Sequence, residues 1–173
     1  MPRIIKDGGI VEDAALILGI EDVDALADDA DRRCFLPLSY WLDRYADRND
    51  GSEYPHVWVG SHDPTESLTP HLSKIAAIAV YFERFSDGTG FSTAAHLREV
   101  CGYKGELRAF GHILADQAIA LRRCGFNAMA LPEGESLDTA LSLLLTAGLS
   151  YQGSIYNPRT PFKFRFQEAG LND

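Results

Sequence analysis

The spacing of hydrophobic positions changes along this chain, and the changes mark its elements. "IAAIAVYF" (Ile75–Phe82) is a continuous apolar run. Its length and flanks predict a strand covered on both faces, as in the interior of a parallel sheet. "YPHVWVG" (Tyr54–Gly60) and "RIIK" (Arg3–Lys6) also read as strands, the latter leading into a Gly8–Gly9 turn. "CFLPLSYWLDRYADR" predicts a short buried strand running into a helix with Trp41 on its apolar side. "IEDVDALADDADRR" is acidic and reads as a surface helix or loop. "DPTESLTPHLSK" carries turn and helix-start signals, with Pro64 and Pro70 limiting any helix.

Beyond Phe82 the pattern becomes regular. "LREVCGY", "LRRCGF" and "LLTAGL" each end a helical pattern with a glycine followed by an apolar residue. These glycines are Gly102, Gly125 and Gly148, spaced 23 residues apart. Each suits the left-handed position just past a helix, with Tyr103, Phe126 or Leu149 packing back on the last turn. Strand-like "ELRAF" and "NAMAL" follow the first two. Ile75–Leu149 therefore predicts three β-α units. The fold class expected is α/β, with a mostly parallel sheet built from successive β-α units, either open or partly barrel-like. One domain over residues 1–173 is expected. Its tail, 157–173, contains "PFKFRF" and reads as a final edge strand or a mobile end.

Composition narrows the class. The chain has 173 residues, 46% hydrophobic and 24% charged, which is enough for a core and argues against bulk disorder. A net charge of −9 disfavours nucleic-acid phosphates as partners. No apolar run approaches the roughly 18 residues of a membrane helix. The first residues lack a signal-peptide core, so a cytoplasmic location is expected. The three cysteines suggest no disulfide framework. Cys101 and Cys124 precede helix-ending glycines, where the helix dipole opposes a thiolate; with Cys34 they read as packing residues. None of the five histidines forms an HxxxH or HExxH pair, so no metal site is expected.

The candidate chemistry begins at "SDGTGFS". It lacks the lysine of a phosphate-binding Walker loop, and Thr93 stands where a dinucleotide fingerprint needs its third glycine. What remains is a β-α turn with Ser92 as helix N-cap, a geometry that can also hold an anion. In "GELRAFGH", strand alternation puts Glu106, Arg108 and Phe110 on one face and Leu107 and Ala109 on the other. A charge on an inner strand needs a partner. Arg108 reads equally as half of a carboxylate pair or as an anion ligand near the strand's carboxyl end. In "ILADQAIALRRC", Asp116 and Gln117 lie near a helix start and Arg122 and Arg123 in its last turn, as the helix dipole prefers. Asp116 or Gln117 can reach the rim expected to carry Arg108 and Asp87. The ligand-binding candidates are thus Asp87, Gly88, Gly90, Ser92, Arg108, Asp116 and Gln117. No cofactor site is evident, and three cysteines fall short of iron–sulfur ligation by four.

The pieces "MPRIIKDGGIVED", "PLSYWL", "VWVGSHDP", "IAVYFERFSDGTGFS", "LREVCGYKGELRAFG", "LADQ" and "RRCGFNA" resemble the bacterial family catalogued as domain of unknown function 934. The resemblance covers most of the chain. Members are often encoded beside assimilatory sulfite reductase and carry the label of an oxidoreductase involved in sulfite reduction, with no cofactor or mechanism named. The resemblance therefore implies an accessory or oxidoreductase component of sulfite reduction, with sulfite reductase as partner. Asp87, Gly88, Gly90, Arg108, Asp116 and Gln117 match the family pattern. Thr89 stands where that pattern has a basic residue, and His112 and Asn127 where it has aspartates. The alternative expectations are a non-catalytic partner-docking protein, or a small-oxyanion-binding enzyme using Arg108 and the Asp87 loop.

Overall fold

The computed structural model describes residues 2–23, 33–48, 54–146 and 154–156. Gly148, the tail 157–173 and most of the acidic segment after Ile20 lie outside the described residues. The elements run β1 (Arg3–Lys6), β2 (Gly9–Glu12), β3 (Leu16–Ile17), β4 (Cys34–Pro37), α1 (Leu38–Tyr45), β5 (His56–Val59), β6 (Ala77–Phe82), α2 (Thr89–Glu99), β7 (Glu106–Gly111), α3 (Ala118–Arg123), β8 (Ala128–Met129) and α4 (Leu137–Thr146).

The eight strands form one sheet in the order β2-β1-β8-β7-β6-β5-β4-β3. From β3 to β8 each neighbouring pair is parallel, but β1 runs antiparallel to both β2 and β8. The sheet is therefore mixed, which corrects the expectation of a mostly parallel one. A two-residue turn sets the β1–β2 pair. Asp7 and Gly8 both have positive φ, 49° and 82°, and Lys6 pairs with Gly9 across them. An Asp-Gly dipeptide in that conformation folds a strand back on itself as a tight hairpin.

The sheet curls into a half-barrel, and the chain connectivity requires a curl. The edge strands β2 and β3 are joined by only three residues, Asp13–Ala15. Such a link reaches about 15 Å, whereas the outer strands of a flat eight-stranded sheet lie roughly 33 Å apart. The link crosses the concave side, where Asp13 meets Arg108 of β7.

Alternation along each strand divides the apolar residues between the two faces. Val57, Val59, Ile78, Val80, Phe82 and Leu107 join Trp41 of α1, Ala94 and Leu97 of α2, and Leu121 of α3 in one core. Phe35, Ala77 and Ala79 form a second cluster on the concave side, with Trp58, Phe110 and Ile17 against it. The expected C′ glycines are present: Gly102 and Gly125 have φ of 69° and 106°, and Tyr103 and Phe126 donate their N–H groups back to Leu97 and Leu121.

Candidate functional site at the mouth of the sheet

The predicted site residues separate into two places. Arg108 lies in the middle of β7, paired in register with Ala79 and Ala128, and is 4% exposed. Its guanidinium donates to Asp13 Oδ2 at 2.7 Å and to Glu106 Oε1 at 2.7 and 2.8 Å, and stacks over the Phe35 ring at 4.6 Å. Lys6 Nζ completes the group 2.7 Å from Glu106. The carboxylate-pair reading of Arg108 is the one the geometry realises. A buried arginine with two acidic partners has its charge satisfied internally.

Asp87, Gly88, Gly90 and Ser92 lie elsewhere, at the carboxyl end of β6. Here the expected cap is corrected. α2 begins at Thr89, three residues before Ser92, which makes no capping bond and is exposed. The Thr89 N–H donates instead to Asp87 Oδ1 at 2.9 Å, and the Ser61 hydroxyl donates to Asp87 Oδ2 at 2.5 Å. Hydrogen bonds from Ser61, and then from Thr89, hold the Asp87 carboxyl at about 2. The anion at this helix start is thus the protein's own carboxylate. Gly90 serves packing: a Cβ there would lie 2.6 Å from the Phe82 ring. Gly88 has open space around it.

The predicted helix from Ile113 is shorter than expected. Ala115–Gln117 form a 3-10 turn, and α3 covers only Ala118–Arg123. Gln117 Nε2 donates to the Phe85 carbonyl at 2.9 Å, tying this turn to the β6–α2 loop. Asp116 is exposed nearby. His112 is exposed after β7, its N–H bonded to the Phe82 carbonyl. Asn127 sits at the opposite, amino end of the strands. Its Oδ1 accepts from the Leu107 N–H at 2.7 Å and from Arg98, and its Nδ2 donates to Asp7. His112 and Asn127 therefore belong to opposite ends of the sheet.

Residue reasoning missed an aromatic-floored concave feature. Trp58 of β5, Tyr81 of β6 and Phe110 of β7 lie side by side on the concave face, ring centroids 5.1–6.1 Å apart. They floor a groove of about 530 Å³, walled by Ile17–Asp22. A smaller hollow of about 230 Å³ shares Trp58 and Tyr81 and adds Ser61, His62, Asp63 and Glu83. Trp58 Nε1 donates to the Leu18 carbonyl at 2.8 Å, fixing the wall to the floor. Aromatic side chains at alternate strand positions opposite the valines of "HVWV" and "AIAVYF" were the available signal. Arg98, also missed, donates to the carbonyls of Tyr103, Gly105 and Gly125 and so clamps the loops below β7 and β8. Among the described residues no three potential metal ligands come together, and no helix is long and apolar enough to cross a membrane.

Fold and groove together define a curled α/β protein with an aromatic-floored mouth at the carboxyl ends of its parallel strands, the end at which such sheets commonly bind ligands. The family model described as "Bacterial protein of unknown function (DUF934)" matches residues 56–162, and the chain belongs to that family. No curated protein and no solved structure was found to match it.

Proposed function

We propose that this protein works in the cytoplasm as an accessory of assimilatory sulfite reduction, the role its family resemblance implies, and that its working face is the mouth. The observation that carries the second part is the half-exposed floor of Trp58, Tyr81 and Phe110 beneath a rim containing Asp63 and Glu83. Such a floor suits a partner surface or an organic ligand. It does not suit a small oxyanion, which would meet carboxylates there while the Arg108 fork is engaged by Asp13 and Glu106. The alternative of oxyanion chemistry through Arg108 and the Asp87 loop loses its support accordingly. Partner docking gains a specific one: Phe85 stands 60% exposed on the loop beside the mouth, with its backbone held by Gln117. Exposed aromatics on a braced backbone are common interface anchors.

The test is growth of a deletion strain on sulfate or sulfite against growth on cysteine. Failure on the first two, with recovery on cysteine, is expected. The wild-type gene should restore growth, and a Trp58→Ala, Phe110→Ala copy should not, given equal protein levels. Undiminished growth on sulfite refutes the role. Full rescue by the double variant refutes the mouth as its working face.

A further inference from the structure

The lining of the groove carries charge of one sign. Glu21 and Asp22 stand on its wall, and Asp63 and Glu83 on the adjoining hollow; among the described residues no lysine or arginine lines either space. His62 is the one imidazole among these lining residues. The floor consists of three packed rings, each with a negative π-face. The Tyr81 hydroxyl makes no hydrogen bond to any described residue, whereas the Trp58 N–H is already spent on Leu18. A volume of about 530 Å³ lies within the range of small-molecule sites, roughly 300–1,000 Å³.

We propose that the groove is a binding site for a planar organic cation, a charged aromatic or heteroaromatic ring that lies against the face of one of the rings of Trp58, Tyr81 and Phe110, packs at an angle to the others, and turns its charge toward Glu21, Asp22 and Glu83. Trp58 stands at 67° to Tyr81 and 80° to Phe110, so a flat ring laid on one face meets the neighbouring rings at an angle, and positive charge is favoured both by the ring faces and by the carboxylates. The rings lie too close together to admit a compact ammonium between them, so stacking from above is the available geometry. Phosphorylated ligands are disfavoured by the same carboxylates. This inference uses the mouth as the working face but is independent of the link to sulfite.

Three probes of nearly one shape separate charge from shape: nicotinamide methylated on its ring nitrogen (cationic), nicotinamide (neutral) and nicotinate (anionic). Each is titrated into the full chain while the two indole N–H signals are followed by NMR. Trp41 is fully buried, bonded to the Pro55 carbonyl, and acts as the internal control for Trp58. The cation should move the Trp58 signal, leave Trp41 in place, and bind at least tenfold more tightly than nicotinate. The Glu21→Gln, Asp22→Asn, Glu83→Gln variant keeps side-chain size and should lose that preference. Phe110→Ala should weaken all binding at the groove. Equal binding of cation and anion, an unmoved Trp58 signal, or a preference that survives the triple variant each overturns the proposal. The growth phenotype can fail independently, so the two readings are separable.

Discussion

Arg108 and Asp13 meet at 2.7 Å across 95 residues of sequence. Asp13 belongs to the three-residue link between the sheet's two edges, and Arg108 to an inner strand, so this contact secures the link against the concave face. Asp13 also accepts from the Ala15 N–H at 3.3 Å. Arg108→Met should leave Asp13 without its buried partner and cost about 3–5 kcal/mol. Asp13→Asn keeps a hydrogen-bond acceptor and should cost less. Urea denaturation midpoints check the order; an unchanged midpoint for Arg108→Met would show the network to be dispensable.

Gly88 and Gly90 should respond oppositely to alanine. At Gly90 the new Cβ meets Phe82, itself 1% exposed, at 2.6 Å. Overpacking of that kind costs about 1–3 kcal/mol. Gly88 has φ of −77° and open space, so Gly88→Ala should be neutral or slightly stabilising. Thermal midpoints of the two variants decide the matter. A shared effect would place the glycines' role in something other than packing.

The two helix-ending glycines should also differ. Gly102→Ala meets no atom within 4 Å and adds only backbone strain, about 1 kcal/mol. Gly125→Ala combines a φ of 106° with a Cβ 2.5 Å from Arg98 Cγ. Since Arg98 clamps three carbonyls, the second variant should lose clearly more stability in the same denaturation series.

His56 gives the fold a pH dependence. Its Nδ1 is buried without a partner among the described residues, and its ring lies 4.8 Å from that of Phe35. Burial lowers its pKa; Arg108 and Lys6 act in the same direction, Glu106 and Asp13 against it. The unfolded chain, with an ordinary histidine near 6.5, therefore takes up the proton first as pH falls. Stability present above about pH 6.5 should decline on acidification. Melting temperatures between pH 7.5 and 5 should fall, and His56→Phe, which preserves the ring contact, should flatten the slope.

Much of the parallel part of this fold was legible. "IAAIAVYF" contains β6, "ELRAF" begins β7, and Gly102 and Gly125 take their helix-ending conformation because a local rule governs each. The hairpin was less legible because the Asp7–Gly8 turn announces a reversal but not that β1 will pair with a strand more than 120 residues later. The start of α2 was misplaced by four residues, with Gly88 and not Ser92 in the cap position. Ser92 has the usual cap chemistry, yet Asp87 and the fit of Gly90 under Phe82 position the helix earlier. Arg108 was seen as needing a carboxylate, but Asp13 could not be named before the curl was known. The aromatic floor was hidden for the same reason. Trp58, Tyr81 and Phe110 come from three strands, and only lateral register makes them neighbours.

The antiparallel seam between β1 and β8 also carries a consequence for synthesis. Asp7 must wait for Asn127, 120 residues behind it, before their hydrogen bond can form. At roughly 5–20 residues per second, that delay lasts roughly 6–24 s on the ribosome. Throughout it the apolar side of "RIIK" has no β8 to lie against, and the edge of β7 that will receive β8 stays open. Nascent chains stalled before and after Met129 should therefore differ sharply in protease resistance at their amino ends.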